Sequence, residues 1–109
     1  MTLVLRGGAH AFEPGAVTRK AENSRQAIGL LGISSVAVWE DENLMDVWQA
    51  SDVLANRSTV WSGDVEQLED AGFTVVQTGK DPRHHTIVLP ELSTTTLEAL
   101  SALMQEHRR

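Results

Sequence analysis

Two adjacent histidines, His84 and His85, open the apolar run Thr86-Ile87-Val88-Leu89 behind the turn-rich segment 78–83. An imidazole titrates near neutral pH, so either ring could move a proton in a reaction or contact a polar ligand. Successive side chains on a strand point to opposite faces, so the two rings cannot grip one ion together. His85 aligns with Ile87 and Leu89, whereas His84 aligns with Thr86 and Val88. One can face a site while the other faces packing or water; the plainer alternative is two half-exposed polar residues after a turn. His85 is the candidate general base, and His84 a ligand contact.

Arg6 closes the apolar stretch "LVLR" and is followed by Gly7 and Gly8. A guanidinium donates two parallel hydrogen bonds to phosphate or carboxylate, and glycines let backbone come close to whatever it holds. The plainer alternative is an arginine in water at a strand end. Ser34 and Ser35 open "SSVAVW", which the acids Glu40, Asp41 and Glu42 close. Serines there can brace an amide or a ribose hydroxyl, or merely begin a strand while the acids favour the next helix N-terminus. Trp39, Trp48 and Trp61 all fall at core-type positions, and Trp39, which adjoins this cluster, could instead offer a stacking face. The site candidates are therefore His85 and Ser35 for catalysis, with Arg6, Ser34, Trp39 and His84 for ligand binding.

Several chemistries have no support. There is no cysteine, which excludes disulfides, thiolate metal sites and cysteine nucleophiles. No P-loop, dinucleotide glycine fingerprint or G-x-S-x-G is present. His10 and Asp81 could join a histidine in a metal site, but no H-x-x-E or H-x-x-x-H spacing supports one, and no metal is expected.

The chain has 109 residues, a net charge of −6, 41% hydrophobic and 22% charged residues. That length suits one domain spanning 1–109, able to bury roughly 65% of its unfolded surface. The negative charge repels polyanions and argues against a nucleic-acid-binding module, while it can steer a basic protein partner. No apolar run approaches the roughly 20 residues of a membrane span, so no membrane association is expected. "MTLVLRGG" is too short for a cleavable signal peptide, and the expected location is cytoplasmic, or outside by a route needing no such signal. Oligomeric state is open at this point.

The elements that must position these groups follow from periodicity. Residues 2–6 read as a strand and 7–15 as a loop. Val17, Ala21, Ser24, Ile28 and Leu31 recur at helical spacing, with Gly32 as a stop. Residues 34–39 read as a buried strand. Leu44, Val47, Trp48 and Ser51 share one face of a second helix, closed by Asn56 in a left-handed conformation. Residues 58–61 form a short strand, and Gly63 or Asp64 starts a third helix that Gly72 ends. "FTVVQ" and "HTIVL" form a hairpin across "TGKDPR", with Pro90 blocking continuation. Thr95 and Glu98 match a capping box for a last helix that carries Leu97, Leu100, Leu103 and Met104 and reaches His107-Arg108-Arg109. The order β-α-β-α-β-α-β-β-α predicts an α+β domain with a mixed sheet of about five strands.

The arginine ending "LVLRGG", the serine-led "SSVAVW" and a late polar strand together resemble small ADP-ribosyltransferase-like bacterial toxins. "HHTIVLPE" is similar to the "H-x-T-I-x-P" stretch of a group of type VI secretion effectors related to them. The pattern "LRGG … GISSVAVWEDEN … VEQLEDAGFTVV … HHTIVLPEL" also resembles short actinobacterial proteins. The resemblance covers about a third of the chain. It implies an NAD-dependent activity in which Arg6 holds phosphates, Ser34 or Ser35 lines the nicotinamide pocket, and His85 contacts ribose or nicotinamide. No E-x-E or Q-x-E supplies that branch's catalytic glutamate: Glu91 lies just past Pro90, and Glu40 lies in another segment.

Charge and the lack of a strong catalytic motif favour an acidic protein-interaction module of a toxin–immunity or toxin–antitoxin system, without catalysis or cofactor. The alternatives are the ADP-ribosyltransferase-like toxin acting on NAD, or a metal-independent ribonuclease with His85 as base and Arg6 as phosphorane ligand.

Overall fold

The computed structural model describes residues 2–109. Ten elements follow in order: β1 (Leu3–Gly7), α1 (Pro14–Ile28), β2 (Gly32–Val38), α2 (Leu44–Ala50), β3 (Thr59–Asp64), α3 (Val65–Asp70), β4 (Thr74–Gln77), β5 (His84–Val88), α4 (Thr94–Leu103) and β6 (Met104–Arg108). The α+β class and the helix order stand. The strands form one six-stranded sheet in the order β4-β5-β2-β1-β3-β6. Every pairing among the described residues is antiparallel, so the expected mixed sheet is corrected. The helix between β1 and β2 returns the chain antiparallel to its neighbour instead of crossing over to a parallel one.

Local chemistry explains the helix ends. Pro14 opens α1, where its missing N–H removes no helical bond. Gly29 closes it at φ 76°, a left-handed turn in which its N–H reaches Arg25 O. Asn43, Asp64 and Ser93 each cap the following helix by accepting a backbone N–H. Ser93, two residues before the expected Thr95, takes the cap of α4. No residue other than glycine has positive φ among those described, so Asn56 does not close α2; Ser51 does, in extended geometry.

The largest departure lies at the end of the chain. The segment expected to continue the last helix leaves it after Leu103 and runs as β6 along β3. Gly63 makes this possible: a Cβ there would meet the Met104 sulfur at 2.6 Å. The bare backbone lets Met104 lie across the strand and close the core.

The sheet has two different faces. Val4, Ile33, Ile87, Phe12, Leu68 and Leu100 belong to the main core, to which α3 and α4 contribute. On the opposite face Leu5, Val38 and Val60 pack with Val47 and Trp48 of α2 and with Leu54. The Trp48 indole N–H, fully buried, is satisfied by the carbonyls of Leu54 and Arg57.

Candidate functional site

Strand register decides which candidate residues meet. Ser35 pairs with His85, Arg6 pairs with Trp61, and Leu5 pairs with Val36. Opposite residues of an antiparallel pair share a face, so Arg6, Ser35 and His85 lie in one row on the main-core side. Arg6 and His85 are separated by the intervening β2, or roughly 10 Å of backbone at the usual strand spacing.

That row is enclosed. Ser35 and His85 are 3% and 6% exposed. Ser35 Oγ donates to the His85 carbonyl at 2.9 Å rather than to an imidazole. His85 Nδ1 lies 3.2 Å from the Arg83 carbonyl, an acceptor only, which places the proton on Nδ1. Trp39 packs edge-on against the His85 ring, centroids 6.0 Å apart, with the Arg83 guanidinium 5.8 Å above the indole. Serine and histidine are thus neighbours, but Ser35 Oγ and His85 Nδ1 meet backbone carbonyls and not each other.

At the far end of the row, Arg6 Nη1 donates to Ser34 O at 2.8 Å, beyond the last β1–β2 ladder pair. Its Nε is buried without a hydrogen-bond partner among the described residues. Burial, and secondarily the Arg57 guanidinium, lowers its proton affinity from the ordinary arginine value.

The opposite face holds the other two candidates, Ser34 and His84. His84 Nδ1 is 2.9 Å from Thr78 Oγ1 and 3.1 Å from Thr78 O, and Thr78 Oγ1 is 2.8 Å from Thr86 Oγ1. The carbonyl fixes the proton on Nδ1, leaving Nε2 as an acceptor. Ser34 and His84 line a cleft of about 340 Å³ beneath Lys20, Ser24 and Ala27 of α1.

His84 also borders a larger cleft of about 700 Å³ between α2 and the start of β5, floored in part by Val36 and Val47. Asp41, Glu42, Asp46, Asp52 and Asp81 line it, with Arg83 as its one guanidinium. Arg83 is already committed. Its fork grips both Glu42 carboxylate oxygens, and Nη1 also reaches Ala37 O at 3.0 Å. The Arg83 hydrogen bond, followed by the Trp39 N–H, holds the Glu42 carboxyl below the ordinary range; Glu42 in turn raises Arg83. Asp81 caps the Arg83 N–H at 2.9 Å. Asp41, Asp46 and Asp52 have no ion pair within 4.0 Å among the described residues. Val53, which also lines the cleft, is 67% exposed.

Sequence reasoning saw Asp41 and Glu42 as helix-favouring acids and Asp81 as a weak metal candidate, and it missed Arg83, Asp46 and Asp52. The signal was present: with Leu44, Val47 and Trp48 on the buried stripe, Asp46 has to fall on the outer side of α2. No group of three or more His, Asp or Glu among the described residues is arranged to hold a metal ion. No helix among them is long and apolar enough to cross a membrane.

Protein-family models, curated proteins and solved structures all fail to match this chain, so its function has to be read from its own residues.

Proposed function

We propose that this protein is a non-catalytic binding module that recognises a cationic segment of a partner protein at the acidic cleft beside α2. One observation carries the reading: five carboxylates line the cleft of about 700 Å³ beside α2, and its one guanidinium is neutralised within it. Such a field attracts and orients a basic partner and repels polyanions. Val53, which lines the cleft, adds exposed apolar surface to the charge, the combination needed for a basic segment with an apolar side. A toxin–immunity or toxin–antitoxin pair is the setting that fits an acidic recognition domain, with the partner supplying the basic surface.

A second reading has one observation in its favour. The buried, unpartnered Arg6 Nε is a group that a phosphate oxygen could satisfy, as in an NAD-using transferase. Against it, Ser35 and His85 are almost wholly buried, and Ser35 Oγ and His85 Nδ1 are both taken up by backbone carbonyls.

Fluorescence anisotropy with a labelled amphipathic lysine–leucine peptide separates the two. The expected result is binding that weakens with salt and falls at least tenfold in D46K/D52K, since reversed charges face the peptide across a short, partly screened distance. Unchanged binding in that variant overturns the module reading. A thermal shift with NAD that disappears in Arg6→Ala would favour the transferase, because a ligand bound to the native state stabilises it.

A further inference from the structure

A sheet with six strands has two edges, and they are built differently. An edge strand exposes unpaired N–H and C=O groups that can template another strand, and charge is the usual defence. On β6 the exposed Glu106 and Arg108 form an ion pair at 3.1 Å. On β4 the sequence Thr74-Val75-Val76-Gln77 carries no charge at all. Its two valines are half-buried and β-branched, the type that pairs well across strands.

The phase of that edge is fixed. Thr78 N–H bonds to His84 O, and the β4–β5 register pairs Val76 with Thr86. Hydrogen-bonded pairs alternate along an antiparallel ladder, so Thr74, Val76 and Thr78 bond inward to β5. The N–H and C=O of Val75 and Gln77 therefore point outward along the free edge. Gln77 does not cover them: its side-chain amide is turned onto the carbonyls of Thr78, Gly79 and Asp81.

We infer that β4 is a homodimerisation edge, joining two copies of this chain across a two-fold axis at Val76 into one continuous antiparallel sheet. With Val76 facing Val76, Val75 N–H meets Gln77 C=O and Gln77 N–H meets Val75 C=O, each twice by symmetry. Side chains stay on matching faces because the axis is perpendicular to the sheet. A second copy is the occupant that the edge itself selects, because its outward N–H and C=O groups at Val75 and Gln77 complement an identical strand. Two copies of net charge −6 repel overall, but pairing along the uncharged β4 brings no like charges face to face on the strand. A basic partner, by contrast, finds no carboxylate on this strand.

Sedimentation velocity of the full chain over a wide concentration range tests this, with circular dichroism confirming folding. The expected result is a concentration-dependent dimer. Val75→Pro removes an outward N–H while sparing the bonds to β5, and should raise the dimer dissociation constant at least tenfold. Val76→Lys, which opposes two ammonium groups at the axis, should abolish association. Gln105→Lys on β6 should leave it unchanged. A wild-type monomer throughout, or a dimer that survives both β4 variants, overturns the inference. Neither outcome bears on the acidic cleft, which lies on other elements.

Discussion

His84 and His85 are chemically identical neighbours with different surroundings. His85 faces the main-core side, 6% exposed, its ring against Trp39 and its Nδ1 on a backbone carbonyl. His84 faces the other way, half-buried, with Nδ1 fixed by Thr78 and its ring at the border of two clefts. The strand's two-residue period makes this separation unavoidable. What it teaches extends further: the row Arg6–Ser35–His85 lies on the main-core side, whereas on the other face, outside the smaller core of Leu5, Val38 and Trp48, His84 and the acids around α2 border clefts open to solvent.

Substitutions can break or sharpen that contrast. The largest effect is expected from Ile87→Ala, fully buried beside His85 on the main-core side. Deleting its side chain should cost about 2–5 kcal/mol by chemical denaturation, because a close-packed core relaxes only partly into the cavity. On the same side, Ser35→Ala removes the bond to the His85 carbonyl and should cost about 1 kcal/mol. On the outward face His84→Ala should cost no more than about 1 kcal/mol, since its neighbours can turn to water. If His84→Ala proved as damaging as Ile87→Ala, the two faces would not differ as described.

The smallest effect concerns pH. Glu42 has a depressed carboxyl pKa in the folded state, chiefly through Arg83. Its contribution is present above the unfolded glutamate value, near 4.3 by reference, and is lost as pH falls through the lower folded value. Glu42→Gln should therefore flatten the acid limb of the stability curve below about pH 4.3. An unchanged acid limb would show that the half-buried fork contributes nothing measurable, as many surface pairs do.

Much of the fold was legible in the sequence because it rests on short-range chemistry. Asp64 and Gly72 bracket α3, and Val, Ile and Thr mark β2, β4 and β5, whereas α1 stops at Gly29 and the expected stop, Gly32, opens β2 instead. β6 was not legible. Met-Gln-Glu-His-Arg favours a helix locally, and only the groove beside Gly63 and the free edge of β3 pull it into the sheet. The candidate site divides in the same way. Alternation correctly parted the two histidines, and register placed Arg6, Ser35 and His85 in one row. The acidic cleft depends on α2 and the 78–83 loop coming together over distant sequence, a juxtaposition no local pattern encodes.

The outward cleft as the recognition surface is the central claim, and an amide chemical-shift titration of the labelled protein with the lysine–leucine peptide tests it most directly. The account expects shifts confined to Asp41–Val53, residues 81–84 and their neighbours, fading as salt is raised. Shifts centred on Arg6 and Ser35, or none at all at low salt, would contradict it.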